Sequence, residues 1–130
     1  MKPSQLFFYF VASASVLFFY ESWGGEKAAT ADCKRTGKAS YYSNKFKGRR
    51  TSSGQKYHPD SLTCAHHKLP FGTLLEVTNL SNGKTVRVRV NDRLGRKSKR
   101  MVDLSMAAAR QLEMIHQGVI PVRISCVENP

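Results

Sequence analysis

Between Thr73 and Asp92 the chain reads TLLEVTNLSNGKTVRVRVND, and this stretch limits the fold more than any other. Apolar residues alternate with polar ones on either side of Ser81-Asn82-Gly83, with Leu75 and Val77 before it and Val86, Val88 and Val90 after it. A period of two places each set on one face of a strand. Asn-Gly accepts the positive φ that a tight turn demands, so the two runs are predicted to pair as a β-hairpin. In that register the next side chain inward after Val90 is Asp92. With nine Asp+Glu against 21 Lys+Arg, the chain has few acids to place. An inward carboxylate at the end of a strand therefore needs a reason.

The remaining elements are shorter. GKASYYS, Gly37–Ser43, is a strand candidate, and NKFKGRRTSSGQKYHPDS reads as a long Gly/Ser/Pro-rich loop. LTCAHHKLPFGT supplies a second short strand, interrupted at Pro70 and Gly72. SMAAARQLEMI is the one convincing helix: Ser105 can cap it, and Met106, Ala109, Leu112 and Ile115 recur at helical spacing. PVRISCV closes the chain as a strand. Short strands, one hairpin and one helix predict a small β-barrel, closed so that no edge strand is left open.

The N-terminal segment sets the compartment. Lys2 precedes LFFYFVASASVLFFY, Leu6–Tyr20, an uncharged and mostly apolar run. A membrane span needs about 20 apolar residues, so this shorter run fits a secretory signal peptide, and Ala29-Thr30-Ala31 fits its cleavage pattern. The alternative is an uncleaved anchor. A lipid anchor on Cys33 is disfavoured by Asp32, which stands where such signals carry a small residue. The expected organisation is a signal peptide over 1–31, a linker over 32–36 and a barrel domain over 37–130. The domain would be exported to the periplasm, cell envelope or medium, meeting the membrane only through its signal peptide. Cleavage removes Lys2, Lys27, Glu21 and Glu26 and leaves the net charge at +12. Such a charge implies an acidic partner. Export and the lack of aromatic–basic interleaving argue against nucleic acid and leave an anionic envelope polymer.

Cys33, Cys64 and Cys126 allow three single-disulfide pairings in an oxidising compartment. Cys64 shares the register of Leu62 and suits a small buried residue. Cys33 precedes the first strand and Cys126 lies in the last, so a bond between them would tie the mature N-terminus to the closing strand. Closing such a loop is worth about 4 kcal/mol in the chain-entropy account, and Cys33–Cys126 is the expected pairing. The cysteine spacing matches no zinc pattern, and neither metal nor cofactor is expected.

Few residues can carry chemistry. Glu113 lies on the helix, Glu76 alternates outward, and Asp32 and Glu128 are near the termini. Asp103 precedes the helix, where its charge favours the free N–H groups. Asp92 is different, because partial desolvation at a barrel rim raises a carboxyl pKa and suits it to general acid catalysis. The competing reading is an ion pair with Arg93 or Arg96. His66 is either structural or, beside a rim carboxylate, a substrate ligand.

Taken in order and spacing, ASYY, GRRTSSG, LTCAHHKLPFGT, VTNLSNGKTVRVRVNDR and VDLSMAAA resemble the rare lipoprotein A family from Gly37 to about Val127. The resemblance implies a mainly β fold, a small six-stranded double-psi β-barrel with one or two short helices. It implies an endolytic peptidoglycan lytic transglycosylase that cuts glycan strands, preferring peptide-free ones, to leave 1,6-anhydro-muramoyl ends. Kinship with expansin barrels implies the alternative, a non-catalytic module that binds cell-wall polysaccharide. By motif, the family's essential aspartate falls on Asp92 and its histidine on His66. Gln55 stands where well-studied members have glutamate, His58 where an aspartate follows, and Leu94-Gly95 where the turn is usually Gly-Pro. Glutamine carries no titratable proton. A lytic transglycosylase can work with one carboxylate, because the substrate's own C6 hydroxyl is the nucleophile. The resemblance therefore places Asp92 as acid and base, with His66, Gln55, His58, Tyr57 and Arg93 binding sugar.

Overall fold

The computed structural model describes residues 33–127, so the signal peptide expected over 1–31 lies outside the described residues. Six strands form: β1 (Arg35–Tyr41), β2 (Thr63–His66), β3 (Leu74–Asn79), β4 (Thr85–Asp92), β5 (Val102–Leu104) and β6 (Ile120–Cys126). They close in the order β1-β5-β2-β4-β3-β6, and β6 pairs back to β1. The β1–β5 and β2–β4 pairs are parallel. Segment 42–62 passes from β1 beyond β5 to β2, and 93–101 passes from β4 beyond β2 to β5, so each connection skips one strand; they carry Gln55, His58 and the Lys/Arg run.

The barrel interior is filled as the alternation demands. Val86, Val88 and Val90 of β4 are buried against Leu75 and Val77 of β3, Val102 and Leu104 of β5, and Val122 and Ile124 of β6. Cys64 lies among them, unpaired, and Cys33 is bonded to Cys126. The β3–β4 hairpin turns where Asn-Gly stands, with Gly83 at φ 77° and Gly83 N–H donating to Asn79 O at 2.8 Å.

Three boundaries differ from the sequence expectation. The barrel begins inside the expected 32–36 linker, because Arg35 and Thr36 pair with Ile124 and Arg123 and Cys33 is buried at the disulfide. Asp103 is the middle residue of β5, and Ser105 alone caps the helix, its Oγ accepting from Ala108 N–H at 3.3 Å. The helix, α1, spans Met106–Gln111 and stops short of Ile115. Glu113 turns into the left-handed region at φ 52°, and the amides of Asn79 and Asn82 donate to Leu112 O at 2.9 and 3.0 Å. Two side chains of the hairpin loop thus satisfy the carbonyl at the helix end. The buried helical face is consequently Ala108, Ala109 and Leu112, followed by Met114, while Met106 and Ile115 stay partly exposed.

Candidate active site

The orientation of Asp92 depends on one extra residue. Cys64 pairs with Val90, but Ala65 pairs with Asp92, so the register shifts around Asn91. A bulge of this kind reverses the alternation beyond it. Asp92 therefore leaves the Val86-Val88-Val90 face and joins Ala65 on the outside of the barrel, which corrects the inward placement expected from strict alternation. Ala65 also pairs with Asp103, and Asp103 with Ser40. Ser40, Asp103, Ala65 and Asp92 thus form one row across β1, β5, β2 and β4. Only a methyl group separates the two carboxylates, roughly 10 Å apart given a strand spacing of ~4.8 Å.

Asp92 is half-buried and held by Tyr42, by two backbone N–H groups and by the Ser52 side chain. Oδ2 accepts from Tyr42 Oη at 2.5 Å, and Oδ1 accepts from Ser52 N at 2.9 Å and Arg93 N at 2.8 Å. Burial alone would raise its pKa, but these hydrogen bonds to the charged form outweigh it and hold the carboxyl below its ordinary value. The expected raised pKa is corrected accordingly: in the free protein Asp92 is a carboxylate. The competing ion-pair reading also fails. Among the described residues the ion pairs are Lys84–Glu113, Arg87–Glu76 and Arg100–Asp103.

Tyr42 is the residue that the sequence reading missed. Its hydroxyl is pushed far above its ordinary pKa by burial, then by the Asp92 bond and charge, so it remains a donor. Its one signal in the sequence was parity in ASYYS: Tyr41 donates to Ile115 O, and Tyr42 takes the opposite side toward Asp92. Tyr57, expected to bind sugar, does not face solvent. It is only 3 % exposed, its hydroxyl accepts from Met106 N at 3.1 Å, and its ring packs 4.8 Å from that of Tyr42. It backs Tyr42.

His66 sits half-buried at the end of β2. Its Nδ1 accepts from Lys68 N at 3.0 Å and Leu69 N at 3.1 Å. Two N–H donors aimed at one ring nitrogen place the proton on Nε2. Burial first, then the positive charges of His67, Arg93 and Arg35, lower its pKa to about 4. At neutral pH His66 is thus an uncharged Nε2–H donor.

Gln55 and His58 lie apart from this group. Both are exposed and line an open depression of ≈ 560 Å³ with Arg50, Lys56, Ser61, Thr63 and Asn91, whose lining does not include Asp92. The turn at 51–55 belongs to both regions: Gln55 lines the depression, while Ser52 N–H reaches Asp92 and Ser53 N–H reaches Asn91 O. Asp103 is close by in the row, but its oxygens are engaged by Ser40 Oγ at 2.6 Å and by Arg100 at 2.7 and 3.1 Å.

The family model described as "Lytic transglycolase" matches residues 34–124. The chain belongs to this family. Among curated members, "Endolytic peptidoglycan transglycosylase RlpA" of Campylobacter jejuni is 47 % identical over 91 residues, which is 70 % of this chain and 33 % of that one. The RlpA of Neisseria meningitidis is 44 % identical over 98 residues, covering 75 % of this chain and 41 % of its own. The chain thus spans between a third and two-fifths of these relatives' length. Among solved structures, a mutant of Clavibacter michiganensis expansin in complex with cellohexaose superposes with a TM-score of 0.60 at 26 % identity, over 75 % of this chain and 52 % of that one. Streptomyces papain inhibitor superposes with a TM-score of 0.59 at 28 % identity, over 73 % and 94 %.

Proposed function

We propose that this barrel is an exported lytic transglycosylase of the periplasm, cell envelope or medium, cutting peptidoglycan glycan strands, peptide-free ones by preference, to leave 1,6-anhydro-muramoyl ends. The observation that carries the reading is how Asp92 is held. A carboxylate offers about four lone-pair positions. Ser52 and Arg93 N–H groups take both on Oδ1, and Tyr42 takes one on Oδ2. The Ser52 side chain bonds the carboxylate as well, so every donor around Asp92 favours its charged form and a proton must come with the substrate. Two-carboxylate hydrolysis needs a second free acid or base, and Asp103 is already engaged by Arg100 and Ser40.

The steps need only that one carboxylate. Asp92 starts ionised. A glycan laid across it excludes water and brings its own carboxylates near, both of which favour the protonated form. Oδ2–H then gives its proton to the glycosidic oxygen as the C1–O bond breaks. The substrate's C6 hydroxyl oxygen bonds to C1 and returns its proton to Oδ2. One bond to C1 replaces another, no water is consumed, and Asp92 ends the cycle protonated for as long as the strand covers it. His66 Nε2–H donates to a sugar oxygen, and Gln55 and His58 meet sugars further along the strand. The net charge of +12 draws the acidic polymer in.

A second reading, an expansin-like module that binds wall polysaccharide without cutting it, draws on Gln55, which cannot titrate. Incubation with peptide-free peptidoglycan separates the two readings. Wild type releases soluble anhydro-ended fragments, and Asp92→Asn binds the strands but releases none. Binding without release by folded wild type would favour the module.

A further inference from the structure

Arg93 follows Asp92 directly, and its side chain is built into place. Its guanidinium lies 4.1 Å over the ring of Phe71, and Nη1 points to His66 O at 3.4 Å. Phe71 is 44 % exposed, so the barrel interior does not account for its position. The turn that carries it is clamped to β4: Gly72 N–H donates to Val90 O at 2.7 Å, Val90 N–H to Thr73 O at 2.9 Å, and Arg89 to Gly72 O at 2.6 Å. Phe71 is therefore a fixed shelf, its turn held two residues along β4 from Asp92, and the Arg93 guanidinium lies over its ring.

The guanidinium has no carboxylate partner among the described residues, whereas Lys84, Arg87 and Arg100 each have one. A planar fork of five N–H donors, with one face against a ring and one donor turned to a carbonyl, keeps free edges for a planar anion. It stands beside an ionised carboxylate that would otherwise repel such an anion.

We propose that Arg93, stacked on Phe71, is the specificity-determining residue that recognises a free sugar carboxylate. This deepens the transglycosylase reading above and rests on it. In peptide-free strands each muramic acid carries a lactyl carboxylate, which accepts two parallel N–H bonds from an arginine. Where a stem peptide is attached, the same carbon is an amide, with one acceptor oxygen and no charge. The fork then loses its partner, and the selectivity for bare strands follows from one side chain.

The test compares peptide-free strands with the same strands after their carboxylates have been converted to methylamides. Wild type should show a kcat/KM about 10- to 100-fold higher on the carboxylate form, the range set by charge-assisted hydrogen bonds. Arg93→Gln should collapse that ratio toward one. Arg93→Lys, which keeps the charge but loses the fork and the stack, should give an intermediate ratio, and Phe71→Ala should lower it partway. The Arg93→Lys and Phe71→Ala variants keep the proposal testable if Arg93→Gln fails to fold. Equal cleavage of both substrates by wild type, or an unchanged ratio in folded Arg93 variants, overturns this proposal and leaves the transglycosylase reading standing. Cleavage of neither substrate by wild type overturns both.

Discussion

Replacing Tyr42 with phenylalanine removes one hydroxyl and keeps the ring that packs against Tyr57 and Phe46. The lost bond is the 2.5 Å contact to Asp92 Oδ2, the oxygen to which the proposed mechanism assigns the proton. A hydrogen bond to a charged group is worth about 1.5–3 kcal/mol. Because both groups are half-buried and water replaces part of the interaction, the low end applies, about 1.5 kcal/mol, which is roughly tenfold in proton affinity. Asp92 should therefore protonate about tenfold more readily, and because its protonated form donates to the glycosidic oxygen, the alkaline limb of kcat/KM should move to higher pH. Stability follows with the same sign. The folded pKa of Asp92 lies below its unfolded value, so the carboxylate adds stability above the unfolded pKa and loses it as pH falls through the folded one. Tyr42→Phe narrows that gap and should flatten the acid-side loss seen in urea unfolding. The assay is a pH–rate profile of fragment release, paired with carbon NMR titration of the Asp92 carboxyl. An unmoved carboxyl titration in a variant with wild-type circular dichroism would refute the reasoning.

Three further outcomes are expected. The His66 imidazole should titrate near pH 4 with its proton on Nε2, read by nitrogen NMR; since the unfolded chain takes up that proton first, stability should fall as pH drops from about 6.5 toward 4, and His66→Gln should weaken that dependence. A His66 that titrates at its ordinary pH contradicts the two-donor account of Nδ1. Gln55→Ala should raise KM a few-fold with little change in kcat, and Gln55→Glu should retain activity, whereas a kcat gain from inert wild type would mark the native chain as a binding-only member. Ser105→Ala removes the helix cap and leaves Thr63 N–H without its 3.4 Å partner, so thermal unfolding should show a loss of about 1–2 kcal/mol.

The hairpin was legible because its causes are local: a period of two on each side and Asn-Gly between. The direction of Asp92 was not, because the bulge at Asn91 comes from how β4 meets β2, and nothing in VNDR marks an extra residue. β5 is three residues long and exists through its pairing with β1 and β2, beyond the reach of local propensity. The helix end was hidden for a similar reason, since the amides that cap Leu112 come from the hairpin loop, 33 and 30 residues earlier. Within the site, motif order gave Asp92 and His66 as candidates. The opposite fates of Tyr42 and Tyr57 depend on which aromatic of the long 42–62 connection ends up beneath the other.

The central claim is that Asp92 directs attack by the substrate's own C6 hydroxyl with no water in the balance. Digestion of peptide-free strands in oxygen-labelled water, followed by mass spectrometry of the new ends, tests it directly. Wild type should give anhydro ends carrying no label, and Asp92→Asn should give no new ends. Label at the new reducing ends of wild-type products would mean that water is the nucleophile and would contradict the account.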